Sequence, residues 1–494
     1  MKRLSTHSNR KKQLSAAATA LLLAFMYIGS SYTASHVTID PGAVPLGSQY
    51  DSVAQMKADT DLTAGETVTT AAYYEGGSAQ GGATYDIAEK SKNLLGYADN
   101  GYSIPLDNGL YALLDEDTWN LYMWGAHGDG SSNDSDAIDQ AFTTASLAGQ
   151  IMWVTPGTYY MQREVSLRSG LTVYGQGDCE FLAAEGYPVG GTVFSCWNQN
   201  GIKLHGITIS GNSQVNSRSK GYSDQDGIHL LDTWSTDNVE LKNVTFQDNI
   251  YCAYRIMGCQ YVDIEDCTFN QVDCGVLTLS SKTTSHVNIL NNVFTGHKYS
   301  EAIVMGCGST ISDVTISGNQ ISDKTEGHGI QLVAWGKESI SDITITNNQI
   351  TNCAVDIEIN DAKNVTVSDN TCTTTTGGYG MLVEDSSKVK VTDNTVTDSY
   401  LSCLSIKDSK YCTASDNVLD GWTAVTYNPG VYLEGTLTGT KVIENTIQAS
   451  SQTNFDVAID VNGTGATIKN NTIPDDFVVN YRNSTARKST SRTK

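Results

Sequence analysis

The stretches ISDVTISGNQI (311–321) and ISDITITNNQI (340–350) are nearly identical, and NVTVSDNTC (364–372) repeats the same pattern one unit later. Each alternates Val, Ile and Thr, which is typical of short strands, and then places Asn, Asp, Gly or Ser, which favour turns. Such units recur every 22 to 29 residues and end at Phe246, Phe269, Phe294, Ile321, Ile350, Cys372, Val396, Leu419, Ile447 and Ile473. Because no helical period separates them, the repeat predicts a solenoid and excludes an alternating β–α fold.

The economical arrangement is a coil of parallel strands in which each unit makes one turn and stacks about 4.8 Å above the previous one. Inward Val, Ile and Leu side chains would then form one continuous core. An asparagine also recurs at one turn, and we interpret it as a ladder of stacked amide hydrogen bonds. Its expected members are Asn292, Asn319, Asn348, Asn370, Asn394, Asn417, Asn445 and Asn471.

The composition narrows the range of partners. A net charge of -23 argues against nucleic acid and disfavours a polyanionic substrate unless a metal ion or a basic patch intervenes. The 11 cysteines include no CxxC pair, so neither a zinc site nor a compact disulfide scaffold is indicated. We expect Cys252 and Cys274 to be stacked neighbours in adjacent coils, bonded if oxidised.

The chain divides into four predicted regions. Residues 1–35 are basic, then apolar, then rich in small residues, which predicts a secretory signal peptide, with a retained N-terminal anchor as the alternative. Residues 36–120 form a lead-in module, 121–475 the solenoid, and 476–494 a basic disordered tail. The predicted location is therefore secreted or cell-surface, with no membrane span in the mature chain. Asp134 or Asp136 is the expected N-cap of a helix that covers the first coil.

The run GAHGDGSSNDSDAIDQAF (125–142), followed by VTPGTYYM (154–161) and VYGQG (173–177), resembles the start of the pectate-lyase-like superfamily of right-handed parallel β-helices. The resemblance covers roughly residues 50–475. It implies an all-β solenoid with an N-terminal capping helix and a small α+β lead-in. It does not imply one reaction, because this superfamily includes glycosidases, lyases, epimerases and non-catalytic adhesins.

The repeat register indicates which side chains share a surface. Aligning GIHLL, AYRIM, GVLTL and their counterparts places one outward column on a single sheet: His229, Arg255, Leu277, Val304, Gln331, Glu358 and Leu382. A second column lies three positions earlier: Asp226, Cys252, Cys274, Glu301, His328, Val355 and Tyr379. Together these columns predict a groove along the coils from residue 224 to residue 358.

Two segments of this groove resemble the polygalacturonase family. SDQDGIHL (223–230) is similar to its Asp-Gly-Ile strand, whose carboxylate is catalytic and maps to Asp226, and GHGIQL (327–332) is similar to its Gly-His-Gly-Ile strand and maps to His328. The chain departs from the family pattern in the next coil, where Tyr251 and Cys252 stand in place of paired aspartates. DQDG is also a good turn sequence, so Asp224 and Asp226 have a purely structural interpretation as well.

The predicted function is a secreted enzyme that hydrolyses a polysaccharide with paired carboxylates and needs no cofactor. The catalytic candidates are Asp226, Asp273, Glu301 and His328; the substrate-binding candidates are Asp224, His229, Arg255, Lys298, Gln331, Trp335 and Glu358. A polysaccharide lyase is one alternative, with Arg255 or Lys298 as base and calcium held by Asp224, Asp226 and Asp273. A non-catalytic glycan-binding surface or tail-type protein is the other. The oligomeric state stays open.

Overall fold

The structure is a computed structural model, and it describes residues 49–90, 100–216, 227–279, 282–296, 300–334, 339–422, 429–449 and 457–482. From residue 119 onward the described chain winds into a parallel β-helix with three strand-forming sides, here called sheets 1, 2 and 3. Each strand pairs in parallel with the strand one coil away, as the repeat predicted. The predicted all-β solenoid is confirmed.

Within the described residues, sheet 1 contains 14 parallel strands. They are Trp119–Asn120, Ile151–Val154, Thr172–Gly175, Asn200–His205, Asp237–Lys242, Gln260–Glu265, Thr283–Leu290, Thr310–Ser317, Ile340–Thr346, Ala362–Ser368, Lys390–Thr392, Thr413–Ser415, Lys441–Ile443 and Thr467–Lys469.

Sheets 2 and 3 are joined, because the two long strands Thr245–Met257 and Thr268–Thr278 run from one into the other. The other strands of sheet 2 are Asp129–Asn133, Gly157–Met161, Cys179–Ala183, Thr208–Ser210, Val293–Thr295, Gln320–Ser322, Gln349–Thr351, Thr371–Thr373, Thr395–Ser399, Val418–Trp422 and Thr446–Gln448. The other strands of sheet 3 are Val165–Ser166, Thr192–Trp197, His229–Trp234, Ile303–Gly306, His328–Val333, Val355–Asn360, Met381–Glu384, Leu404–Lys407, Val431–Thr436, Val457–Thr464 and Val478–Tyr481.

The asparagine ladder is confirmed over its whole predicted length, from Asn292 to Asn471. At each step a side-chain oxygen accepts two hydrogen bonds from the preceding asparagine. The backbone N–H of Asn348, for example, lies 3.0 Å from Oδ1 of Asn370, and its side-chain amide lies 2.9 Å from the same oxygen. These buried amides satisfy backbone groups at a turn that would otherwise lack partners.

The N-terminal region holds the helix Val53–Ala58 and an antiparallel sheet of four strands, Thr67–Thr69, Thr84–Ala88, Ser103–Pro105 and Tyr111–Leu114. A short 3-10 helix, Ala79–Gly81, completes it, and a second, Leu121–Trp124, follows the first strand of sheet 1. This antiparallel module differs in kind from the parallel solenoid.

The expected helix over the first coil is Ser135–Ala148, and Phe142 on its buried face contacts the rings of Phe181 and Phe194. Asp134 is the N-cap residue, as predicted, but its carboxylate does not bond to the helix. It accepts the backbone N–H of His127 at 2.6 Å instead. The carboxylate therefore fixes the preceding glycine-rich loop against the solenoid.

The C-terminal boundary needs a correction. Residues Val478–Tyr481, which fell within the predicted disordered tail, form a strand paired with Val457–Thr464. The segment VVNY (478–481) is therefore the last strand of sheet 3 within the described residues. No helix within the described ranges is long and apolar enough to cross a membrane.

Candidate functional site

The outward face of sheet 3 carries the polar side chains that the sequence pointed to. The middle column on this face runs through Arg255, Leu277, Val304, Gln331 and Glu358, as predicted. It continues through Leu382, Ser405 and Tyr432. The register prediction is therefore confirmed over these coils.

The prediction is wrong for the first member of the column. Asp232, and not His229, is the partner of Arg255. The predicted alignment of this strand was shifted by three residues, because a short apolar run with a single polar residue fits either register equally well. A shift by an odd number of residues exchanges the inward and outward faces of a strand. His229 instead is the register partner of Thr192 and is 1% exposed.

The central feature of the face is a group that we call the His328 cluster: Glu301, His328, Glu358 and Gln331. Nδ1 of His328 lies 3.4 Å from a Glu301 oxygen, and Nε2 lies 2.9 Å from Oε2 of Glu358. Gln331 donates to the same Glu358 oxygen at 2.9 Å, and the Ser300 hydroxyl donates to Glu301 at 2.7 Å. One imidazole is thus held between carboxylates from coils on either side of it.

The charges in this cluster reinforce one another. Burial by itself disfavours the charged imidazole, but the hydrogen bonds and negative charges of Glu301 and Glu358 outweigh it and raise the pKa of His328 to about 9. Burial likewise opposes ionisation of both glutamates, yet their bonds to His328 lower the pKa of each. At neutral pH the cluster therefore holds an imidazolium between two carboxylates. The His328 side chain is 23% exposed, so solvent reaches it.

A second polar group lies several coils nearer the N-terminus. Arg255 binds Asp232 through two nitrogens, with Nε 3.0 Å from Oδ1, and Thr192 donates to Oδ2 of Asp232 at 2.9 Å. Such a bidentate pair is rigid and directional. The guanidinium predicted to bind substrate is thus already held in a fixed orientation by a carboxylate.

The two polar groups are separated by an apolar patch, so the predicted groove is not continuously polar. This patch consists of Cys252, Cys274, Val304, Cys307 and Val333. Cys252 and Cys274 are register partners, which confirms that they are stacked neighbours. Both are free thiols in this structure.

Asp273 is placed differently from the prediction, because its side chain is only 2% exposed. Its backbone carbonyl and that of Val272 accept hydrogen bonds from the ammonium of Lys324, at 2.8 Å and 2.7 Å. The long strand Thr268–Thr278 leaves these carbonyls unmatched by the next coil, whose strands pair only with its two ends. We therefore leave Asp273 out of the reactive group.

Lys324 itself was not predicted. It is 1% exposed, and burial lowers its pKa. In the sequence it stands in SDKTEG, a polar stretch that reads as a solvated loop. Nothing in that pattern distinguishes a buried lysine that crosses between coils from an exposed one.

Asp356 is a second buried polar residue, although the repeat alignment predicted it among the side chains that line the groove. It is the register counterpart of Gly329 and points into the core, where burial raises its pKa well above the ordinary value. Neither carboxyl oxygen has a hydrogen-bond partner within the described chain. The alignment of DIEIN with GIQLV contained the signal, since it set an aspartate against a glycine.

Four predicted site residues lie outside the described residues: Asp224, Asp226, Lys298 and Trp335. Their roles stay predictions. Within the described ranges no three His, Cys, Asp or Glu side chains are arranged to hold a metal ion. The calcium site proposed for a lyase depends on Asp224 and Asp226 and also stays a prediction.

The family is established by a sequence match. The model of the right-handed β-helix region matches residues 164–321 and 300–447, which together make up more than half of the chain. This chain therefore belongs to the right-handed β-helix family. Among curated proteins, no match was found.

Solved structures with a similar fold differ widely in activity. The surface adhesin PfbA of Streptococcus pneumoniae is 17% identical, with a TM-score of 0.49, over 75% of this chain and 91% of that one. The A-module of mannuronan C-5 epimerase AlgE6 of Azotobacter vinelandii is 15% identical, with a TM-score of 0.43, over 75% and 100%. The tailspike gp49 of Acinetobacter baumannii bacteriophage Fri1, a capsular polysaccharide depolymerase, is 14% identical, with a TM-score of 0.46, over 90% and 76%. Each of these TM-scores is below 0.5, so none of these likenesses carries an argument about this chain.

Proposed function

We propose that this protein binds a polysaccharide along the outward face of sheet 3 and hydrolyses its glycosidic bonds with the His328 cluster. The observation that carries the proposal is the position of the His328 imidazole, held between Glu301 and Glu358 on a solvent-accessible face. The predicted signal peptide agrees with an enzyme that meets polysaccharides outside the cell, and secretion stays a prediction.

Hydrolysis needs a proton donor for the leaving oxygen and a base for the attacking water. His328 is protonated at neutral pH and supplies the proton. Glu301 is ionised and is the more exposed of the two glutamates, so it is the base. Glu358 holds the imidazole in place from the other side, and Gln331 in turn donates to Glu358.

The longer contact, 3.4 Å between Nδ1 of His328 and Glu301, is the one that a substrate would open. The glycosidic oxygen takes the place of Glu301 at Nδ1, and Glu301 turns to bind water. Water attacks the anomeric carbon, the bond to the leaving oxygen breaks, His328 protonates that oxygen and Glu301 takes a proton from the water. Transfer of this proton from Glu301 to His328 restores the cluster.

In the step described, water attacks the anomeric carbon directly and no covalent intermediate forms, so the configuration is inverted. Anomeric analysis of the first product by NMR would therefore show the inverted sugar.

Glycan binding without turnover is the second candidate. The observation that supports it is that the charged groups of the cluster pair with one another, as they would in a purely structural network. A lyase is less suited to these residues, because the imidazolium is not a base at neutral pH and Arg255 is held by Asp232.

The test is a screen of the protein against neutral and acidic polysaccharides for new reducing ends and for ultraviolet-absorbing unsaturated uronates. Hydrolysis yields reducing ends without the ultraviolet signal. His328→Gln should reduce kcat/KM by about 10²- to 10⁴-fold, the usual contribution of a general acid. The matched control is Glu384→Gln, since Glu384 lies on the same sheet outside the cluster.

The other outcomes separate the alternatives. Unsaturated products would replace hydrolysis with a lyase reaction, and retained affinity without any cleavage would assign glycan binding. Full activity of His328→Gln would remove the cluster from the mechanism. An Asp226→Asn variant in the same screen tests the catalytic role that the sequence alone predicted.

A further inference from the structure

Two tryptophans on sheet 3 are exposed to solvent. Trp197 and Trp234 end the strands Thr192–Trp197 and His229–Trp234, and they are register partners in adjacent coils. Their exposed fractions are 59% and 37%, and their ring centroids are 5.2 Å apart. We call this pair the tryptophan platform. Large aromatic side chains left in water at one place often mark a binding surface.

The backbone holds the platform in a fixed position. Each tryptophan is followed by a residue in the left-handed conformation, Asn198 with φ 52° and Ser235 with φ 48°. These turns end the strands, and the N–H of Asn198 donates to the carbonyl of Trp234 at 2.9 Å. The two indoles are therefore presented by the rigid edge of a sheet. Little conformational freedom would be lost when a ligand binds them.

Polar groups flank the platform on both sides. Asp232, bound to Arg255, lies two residues before Trp234 on the same side of the strand, about 7 Å away along the chain. On the other side, the Lys282 ammonium donates to the Ser235 hydroxyl at 2.6 Å. An apolar face bordered by fixed donors and acceptors matches a pyranose ring, whose C–H face stacks on aromatic rings while its hydroxyls form hydrogen bonds.

We infer that the tryptophan platform is a distal subsite of the polysaccharide groove, where consecutive pyranose rings stack on Trp234 and Trp197. The platform and His328 lie on sheet 3, four coils or about 19 Å apart along the solenoid axis, and the register counterpart of Trp234 in the His328 coil is Val333, five residues after His328. A polysaccharide that runs obliquely across the sheet would cover both. The inference names a subsite of the proposed function, but binding at the platform does not depend on catalysis.

The binding test is affinity electrophoresis in gels that contain hydroxyethyl cellulose, xylan, polygalacturonate or alginate. Retardation of the wild-type protein by at least one polymer, and an at least tenfold loss of affinity in Trp197→Ala/Trp234→Ala, are the expected results. Trp234→Phe should keep more of the affinity than the double alanine variant does, because a smaller aromatic ring still stacks. Tyr411→Ala is the matched control, since Tyr411 is an aromatic residue of similar exposure on another side of the solenoid.

Kinetics provide a second readout if cleavage is found. The double variant should raise KM for the polymer at least tenfold and leave kcat unchanged. Oligosaccharides too short to reach from His328 to Trp234 should be cleaved as by the wild type.

Three results would overturn the inference: no retardation of the wild-type protein by any of the four polymers, equal retardation of wild type and double variant, or a dimer in light scattering that the double variant abolishes. The last would make the platform a contact between copies of this chain. The two proposals fail separately, since loss of binding in the tryptophan variants supports the subsite even if no polymer is cleaved.

Discussion

The charge state of His328 predicts how stability depends on pH. Its pKa rises from the ordinary value of about 6.5 to about 9 in the folded protein. The folded state therefore binds this proton more tightly than the unfolded state does. The difference adds about 3 kcal/mol to the free energy of unfolding. It is fully present below about pH 6.5 and is lost progressively as pH rises through about 9.

His328→Gln removes this contribution, because an amide keeps a hydrogen bond but carries no charge. The free energy of unfolding of the wild type, measured by urea titration at a series of pH values, should exceed that of the variant by about 3 kcal/mol more at pH 6 than at pH 9.5. His286→Gln serves as the control for losing a histidine on another sheet. Parallel pH profiles of wild type and His328→Gln, or an imidazole NMR titration midpoint near 6.5, would refute the assignment.

Two further predictions concern the solenoid interior. Asn370→Ala should lower the free energy of unfolding in urea by at least about 2 kcal/mol, because buried groups that bond to this amide lose their partner. Asn471→Ala, at the half-buried end of the ladder, should lower it clearly less. Equal losses in the two variants would contradict the ladder's role. Asp356→Ala should raise the free energy of unfolding, and this increase should grow as pH rises above about 4. Above that pH the unfolded chain ionises the carboxyl group, whereas the folded core keeps it neutral. An increase that is the same at pH 4 and pH 7 would show that the carboxyl group is not held neutral.

The repeated strands were predictable because their signal is local and is repeated many times. Alternating Val and Ile with a recurring asparagine has one economical packing. A wrong alignment of a single repeat is corrected by the agreement of the other repeats. The same redundancy made the columns from Arg255 to Glu358 predictable. The error at His229 came at the edge of the repeat, where an insertion precedes the strand and the register is set by pairing rather than by pattern.

The sequence by itself determined the class of fold, the parallel pairing of the strands and which coils carry polar side chains on one face. Only the tertiary structure decided how those side chains combine: that His328 lies between Glu301 and Glu358, that Asp232 neutralises Arg255, and that Lys324 is buried. The physical reason is that strand periodicity is a property of neighbouring residues in the chain. Charge, burial and proton affinity depend on groups that come together only when separate coils stack.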